Sequence, residues 1–567
     1  MAGKLTRWTD PHASHFSAEG LHTIADLHKA GHVAANCERS RYSDLKTDLK
    51  MHSLTPLSII LPLTAALVLP HEESDCTTFA KNLPISEHNA TFLNATYYPA
   101  NSLNVSNTFN KVSFCEIYTS ISYGSGNNTL IASTWLPDRL QYNDRFIAVG
   151  NGGMAGVIDY AGMMNQLNSG LGFAVSGGNS GHRASDNNNG GGEPGAYLPY
   201  LHDEEQVIAW IRDAISLFTP ASQALTAAYY GQEASHSFYS GCSTGGAQGM
   251  ALAQYHPELF DGIVAGCPGN WYSHLALSFL WNAQHTANNA SKLSQSKLNF
   301  TTNAILDACD LHDGVVDRVL ENPLSCAFDV STLACGFEDS NTSTCLTGPE
   351  LTAAKYIYSG PRHSATNESL YPGFTFGSEI EWALQQGDLA MAFSVPILQN
   401  LVYNNLSYDA ASFNWGSDVE DLDARAGSLI DAIDPDLSSF KNSGGKLLIS
   451  QGWADPFNAA TWPIEHWEAI KAATATAEDG DVSDWLNLFM VPGGGHCGAA
   501  AHYPQVPATY HSVAKMVQWV ERGEKPDEVL SSGAPDGSGR TRKLCAWPAT
   551  ARFVGGDVDD WGSYVCE

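Results

Sequence analysis

Gly241-Cys242-Ser243-Thr244-Gly245-Gly246 is the stretch that decides the reading of this chain. It follows the β-rich run Ser237-Phe238-Tyr239-Ser240 and leads into a helical pattern from Gly245 to Tyr255. Strand, G-x-S-x-G turn, then helix raises a serine hydroxyl on a strained corner, and the glycines let neighbouring backbone approach it. A serine hydroxyl is a poor nucleophile at neutral pH, so it needs a base and a carboxylate to orient that base. In the order Ser…Asp…His both partners lie downstream, each after a strand. Asp455 meets this in Ser450-Gln451-Gly452-Trp453-Ala454-Asp455-Pro456, after the strand Lys446 to Ser450, although an Asp-Pro turn is also a structural device. His496 meets it in Val491-Pro492-Gly493-Gly494-Gly495-His496-Cys497, after the strand Leu486 to Met490. Ser243, Asp455 and His496 are therefore the candidate triad. For the oxyanion, the backbone N–H of Thr244 is one expected donor. Gly152 or Gly153, in the turn Gly150-Asn151-Gly152-Gly153 after the strand Arg145 to Val149, is the other, a plain tight turn being the alternative. Cys242 and Cys497 flank the serine and the histidine; if bonded, they staple the two loops together.

Working outward, apolar β-rich runs alternate with helical patterns, which implies an α/β fold with a mostly parallel sheet. Leu130 to Leu136, Gly172 to Ser176 and Asp261 to Gly266 read as further strands, and Glu204 to Leu217 as one helix. From about Trp271 to Ser443 the pattern changes to close cysteine pairs, sequons and long polar connections. The expected organisation is a core of residues 71–270 and 444–567 with an inserted lid, residues 271–443, over the strand ends.

At 567 residues the chain is too long for one simple core. A formal net charge of −31 excludes nucleic acid and anionic membrane surfaces as partners. Met51-His52-Ser53, the apolar run Leu54 to Leu69 and the charged exit from His71 to Asp75 form a secretory signal, residues 51–70, displaced fifty residues inward. Residues 1–50 are then a spurious or non-mature extension, with Met51 as the working start. The rival is a signal anchor with a short cytosolic tail, disfavoured by the run's length and by Pro56 and Pro62. Asn-x-Ser/Thr sequons at Asn89, Asn94, Asn104, Asn127, Asn289, Asn299, Asn341, Asn367 and Asn405 fit a glycosylated, extracellular protein. Cys309 with Cys326, Cys335 with Cys345, and Cys545 with Cys566 fall in local pairs that read as disulfides of an oxidising compartment. Cys76 and Cys115 are also expected in disulfides. With Cys37 outside the mature chain the cysteine count is odd, and Cys267 is the expected free thiol.

The serine turn, Gly452-Trp453-Ala454-Asp455 and Pro492-Gly493-Gly494-Gly495-His496-Cys497 together resemble the tannase/feruloyl esterase family. The resemblance extends from about Cys76 to Cys566 and includes Gly150-Asn151-Gly152-Gly153 and Gly181-His182. It implies an α/β-hydrolase fold with a large inserted lid and a carboxylic ester hydrolase acting on phenolic acid esters, feruloyl or galloyl, from plants. It also implies a disulfide joining the triad-flanking cysteines Cys242 and Cys497. A structural calcium is implied in the lid, held by the side chains of Asp310, Asp313 and Asp317 and the carbonyls of Val315 and Val319. Three carboxylates around Gly314 suit a hard cation; an acidic solvated turn is the other reading of the same residues. No organic cofactor is expected. A lipase or peptidase on the same scaffold, or a non-catalytic binding glycoprotein, are the alternative functions.

Overall fold

The computed structural model describes residues 73–79, 83, 85–187, 194–336, 342–475, 482 and 484–567. The expected extension, the signal segment and the sequon at Asn341 lie outside the described residues.

Nine strands form the central sheet: β1 (Ala90–Tyr98), β2 (Phe114–Tyr123), β3 (Asn128–Pro137), β4 (Arg145–Val149), β5 (Phe173–Gly178), β6 (His236–Cys242), β7 (Gly262–Gly266), β8 (Lys446–Gly452) and β9 (Leu486–Val491). Their spatial order is β1-β2-β3-β5-β4-β6-β7-β8-β9. β1, β2, β3 and β5 pair antiparallel. From β5 through β4 to β9 every pairing is parallel. The sequence explains the difference. β2 alternates buried and half-exposed residues and so has a wetter face, whereas β4, β7 and β9 are mostly apolar and buried on both faces. Because alternate residues point to opposite faces, each parallel strand feeds two cores. Phe146, Ala265, Leu447 and Leu488 pack with Trp210 and Leu225 on one face. Ile147, Val264, Leu448 and Phe489 pack with Met164, Met516 and Trp519 on the other.

Helices cover both faces: α1 (Tyr160–Leu167), α2 (Glu204–Ile211), α3 (Thr219–Tyr230) and α4 (Thr244–Tyr255) before the insertion, and α8 (Trp462–Thr474) and α9 (Ser512–Arg522) after it. The single helix expected over Glu204 to Leu217 is not continuous. Asp203 caps α2 by accepting the N–H groups of Glu205 and Gln206, and the helix ends at Ile211. The Asp213 N–H then reaches back to Ile208 O, the chain turns through Phe218, and α3 starts with Pro220 in its first turn. Ala214, Ile215 and Phe218 stay buried through the break, which is why the apolar spacing resembles one helix.

Residues 271–443 contain no β-strand among the described residues. They fold as α5 (Tyr272–Thr286), α6 (Gln295–Cys309), α7 (Gly348–Ser359) and shorter helical turns. Leu298, Ile357 and Trp382 form a local core there, while Ile397, Leu398 and Val402 join the main one. Five disulfides are formed: Cys76–Cys115, Cys242–Cys497, Cys309–Cys326, Cys335–Cys345 and Cys545–Cys566. Among the described residues no helix is long and apolar enough to cross a membrane.

A tight backbone contact lies under α4. A Cβ on Gly246 would fall 2.3 Å from Gly266 O and 2.8 Å from Pro268 Cα, both main-chain atoms that cannot move independently. Gly246→Ala is therefore expected to lower stability by about 1–3 kcal/mol, the usual cost of overpacking. A reduced urea midpoint at unchanged slope is the readout.

Candidate active site

The candidate triad and oxyanion residues lie beyond the carboxyl ends of parallel strands, where open α/β sheets form their sites. Ser243 is the single residue between β6 and α4. It adopts φ 65° and ψ −122°, a left-handed corner that a non-glycine side chain occupies only when its surroundings enforce it. Its N–H is held by Gly266 O at 3.0 Å, and its carbonyl accepts the Ala247 N–H at 3.0 Å. Gly245 permits the close approach of the next loop, since a Cβ there would meet Asn151 O at 2.9 Å.

That loop carries Gly152 and Gly153 after β4. A buried polar network fixes it. The Asn151 amide donates to Val157 O at 2.6 Å and Gly178 O at 2.7 Å. The Asn151 N–H donates to Gln248 Oε1 at 3.0 Å, and Ser180 Oγ donates to Asn151 Oδ1 at 2.6 Å. The Thr244 hydroxyl and the Trp210 indole both donate to Gly153 O, at 2.8 and 3.2 Å. The N–H groups of Gly152, Gly153 and Thr244 have no backbone acceptor among the described residues. These three N–H groups are thus left without a backbone partner.

Asp455 lies three residues past β8 and is fully buried. Its Oδ1 accepts the N–H groups of Phe457 (2.7 Å) and Asn458 (3.1 Å), and its Oδ2 accepts the Gln451 amide at 2.9 Å. His496 Nδ1 contacts both oxygens, at 3.0 and 2.8 Å. Burial pushes the Asp455 carboxyl up, but the His496 charge and these hydrogen bonds outweigh it and hold it below the usual carboxylate range. Burial likewise disfavours the imidazolium of His496, yet the Asp455 carboxylate and its hydrogen bond raise it above the ordinary imidazole value. The Phe457 ring stacks on the imidazole at 4.4 Å. His496 Nε2, the nitrogen turned from Asp455, is buried and has no hydrogen-bond partner.

The Cys242–Cys497 disulfide, with Cα atoms 5.8 Å apart, joins the residue before Ser243 to the residue after His496. It brings serine and histidine together without closing a hydrogen bond between them; such bonds are commonly long without substrate. Sequence reasoning passed over Gln451, Phe457 and Asn458, although all three lie in the segment that carries Asp455. It also treated Cys267 only as a leftover thiol, whereas its sulfur lies within 4.8 Å of ligand atoms of Asp455 and His496.

The acidic loop follows α6. Asp310 accepts the N–H groups of Asp317 and Val319 at 3.3 Å and of Arg318 at 2.9 Å. Asp313 Oδ1 accepts the Val315 N–H at 3.0 Å, and Gly314 turns the chain at φ 91°. Asp317 Oδ2 takes the guanidinium groups of Arg542 and Arg540. Two carboxylate oxygens, Asp313 Oδ2 and Asp317 Oδ1, are buried without a hydrogen-bond partner. The three carboxylates do not converge to within 4.8 Å of one another. A cavity of about 100 Å³ lined by Asp310, Asp313 and Glu321 adjoins them.

A strained serine corner after β6, an Asp–His pair past β8 and β9, and the sheet order define an α/β hydrolase. The sequence profile described as "Tannase and feruloyl esterase" matches residues 115–567, and the chain belongs to that family of carboxylic ester hydrolases. It is 28% identical over 525 residues to a probable feruloyl esterase B-1 of Aspergillus flavus, covering 87% of this chain and 95% of that protein. It is 28% identical over 550 residues to feruloyl esterase C of Talaromyces stipitatus, covering 90% and 99%. Its fold resembles the crystal structure of feruloyl esterase B from Aspergillus oryzae, with a TM-score of 0.77, 26% identity and coverage of 87% and 100%. The tannin acyl hydrolase of Aspergillus niger shares the fold at a TM-score of 0.70 and 21% identity, over 87% and 94% of the two chains.

Asp455→Asn removes the charge that favours imidazolium while keeping the shape of the side chain. The titration of His496, followed by the NMR shift of its imidazole, is expected to move to lower pH in the variant; an unmoved titration would show that Asp455 does not set it.

Proposed function

We propose that this protein is a secreted serine esterase that cleaves phenolic acid esters, feruloyl or galloyl, through an acyl-enzyme. The observation that carries the reading is the Cys242–Cys497 bond between the Ser243 corner and the loop of the His496–Asp455 pair. Ser243 attacks the ester carbonyl while His496 Nε2 takes the hydroxyl proton and then delivers it to the leaving alcohol. Asp455 keeps the proton of Nδ1 in place and stabilises the imidazolium. The N–H groups of Thr244 and of Gly152 or Gly153 receive the negative charge that develops on the carbonyl oxygen. Water then enters by the same route and releases the acid.

Residues 271–443 act as the lid in this reading. Phe393, from the insertion, comes within 4.0 Å of the position that a side chain on Gly153 would take. With Phe457 it offers aromatic surface at the site, suited to the ring of a phenolic acid. The relatives' printed names, feruloyl esterase and tannin acyl hydrolase, support this substrate class. Secretion is supported by the five disulfides and by the sequons: Asn89, Asn94, Asn104, Asn127, Asn289, Asn367 and Asn405 are exposed and Asn299 half-buried. Ser243→Ala is expected to lower kcat on methyl ferulate or methyl gallate by roughly 10⁴-fold or more, with folding unchanged by circular dichroism. Comparison of the two wild-type rates assigns the acyl preference, and a variant as fast as wild type would remove Ser243 from its role.

We also propose that Asp310, Asp313 and Asp317, with the carbonyls of Val315 and Val319, hold a structural calcium. The buried Asp317 Oδ1 supports it, because a buried anionic oxygen without a donor is costly unless a cation satisfies it; Asp313 Oδ2 has the Arg542 guanidinium 3.6 Å away but no hydrogen bond. The ion would supply fixed positive charge to the loop and take no part in the ester chemistry. Desalted protein is expected to retain about one calcium per chain by elemental analysis, and chelation is expected to lower Tm. Retention of a folded, equally stable, metal-free protein would count against the site.

A further inference from the structure

Cys267 is the free cysteine among the described residues, and it is buried, 2% exposed. It follows β7, so it lies between the strand that delivers Ser243 and the strand that delivers Asp455. β6 and β7 pair Cys242 with Gly266, which leaves Cys267 one residue beyond the bonded Cys242. The sulfurs of Cys242, Cys267 and Cys497 all lie within 4.8 Å of one another. The Cys267 backbone is pinned on both sides: its N–H donates to Ser450 O at 2.7 Å, and its carbonyl accepts the Asn458 amide at 2.7 Å. The Cys497 N–H points at its sulfur at 3.4 Å. A free thiol is thus held beside a disulfide on a backbone fixed at both ends.

We propose that Cys267 is a second covalent partner of the Cys242–Cys497 staple, exchanging with it to form a Cys242–Cys267 disulfide. The Cys267 thiolate attacks Cys242 Sγ; the Cys242–Cys267 bond forms as the Cys242–Cys497 bond breaks, and the electron pair leaves on Cys497 Sγ. The proton lost by Cys267 is balanced by the proton that Cys497 takes up, so no oxidant or reductant is consumed. Cys497 is the leaving sulfur because it is exposed and water stabilises its thiolate, whereas Cys242 is half-buried. The product ties β6 to β7 and frees the loop of His496 from the serine corner.

The surroundings keep this reaction slow near neutrality. Burial and then the Asp455 charge hold the proton on Cys267, while His496 and the Cys497 N–H act in the opposite sense. Tyr510 is the other titratable group facing the thiol. Exchange then accelerates with rising pH, about tenfold per unit while the thiolate is the minor form.

The test keeps the full, unreduced chain at pH 7 and at pH 9, quenches with acid, alkylates free thiols and maps disulfide-linked peptides by mass spectrometry without reduction. The expected result at pH 9 is a growing Cys242–Cys267 peptide with Cys497 alkylated and the other four disulfides intact. Cys267→Ala and Cys267→Ser are expected to keep the Cys242–Cys497 peptide under the same conditions. A staple that stays whole beside an alkylated Cys267 overturns the proposal, as does general scrambling of the other disulfides. A Cys267–Cys497 peptide overturns the choice of Cys242 as the attacked atom. Loss of esterase activity in step with exchange is the part that rests on the proposed function: exchange with activity retained leaves the sulfur chemistry standing and removes the serine–histidine reading instead.

Discussion

Ser243 and His496 follow strands β6 and β9, between which β7 and β8 intervene, and neighbouring strands lie about 4.8 Å apart. The two ends are therefore separated by roughly 14 Å of sheet unless the loop after β9 folds back over it. Gly493, Gly494 and Gly495 let it do so: a Cβ on Gly452 would meet the carbonyls of Gly494 and Gly495 at 2.3 and 2.5 Å, so the returning loop lies directly on the end of β8. The Cys242–Cys497 bond fastens that return. It is the covalent link between the loops of Ser243 and His496, whose side chains share no hydrogen bond, while Asp455 and the Ala454 N–H hold the histidine loop on β8.

The charges of the site are arranged with similar economy. A fully buried carboxylate is tolerable because four donors converge on Asp455: two backbone N–H groups, the Gln451 amide and the imidazole. The acidic loop is built differently. Arg542 is buried among Asp313, Asp317 and Glu321, yet Asp313 Oδ2 and Asp317 Oδ1 accept no hydrogen bond. One cluster closes on its own donors, whereas the other leans on a buried guanidinium.

The parts of the molecule that were legible in the sequence are those governed by local rules. Buried parallel strands such as Ile263-Val264-Ala265 are continuous apolar runs, and a serine between a strand and a glycine-flanked helix start is a distinctive pattern. Asp455 and His496 could be found because each follows such a strand. The break after Ile211 was hidden because Ala214, Ile215 and Phe218 keep facing the core without a regular helix. β1 and β2 were missed because their half-exposed faces weaken the apolar signal. Residues 271–443 contain so many short helical turns that no period persists. Cys267 had no local signal at all, since its position against the staple exists only once β6, β7, β8 and β9 are assembled.

The crossover from β7 to β8 carries a consequence for how such a molecule diversifies. A right-handed parallel crossover needs little more than one helix, yet here it first spans residues 271–443 before entering β8 at Lys446. Closure cost rises only slowly with loop length, so the sheet registers of β7 and β8 tolerate large changes in what lies between them. Ser243, Asp455 and His496 stay at the strand ends while the stretch between β7 and β8 is free to change in length and content. A crossover of this kind lets one stretch of chain diversify while the strands on either side keep their register.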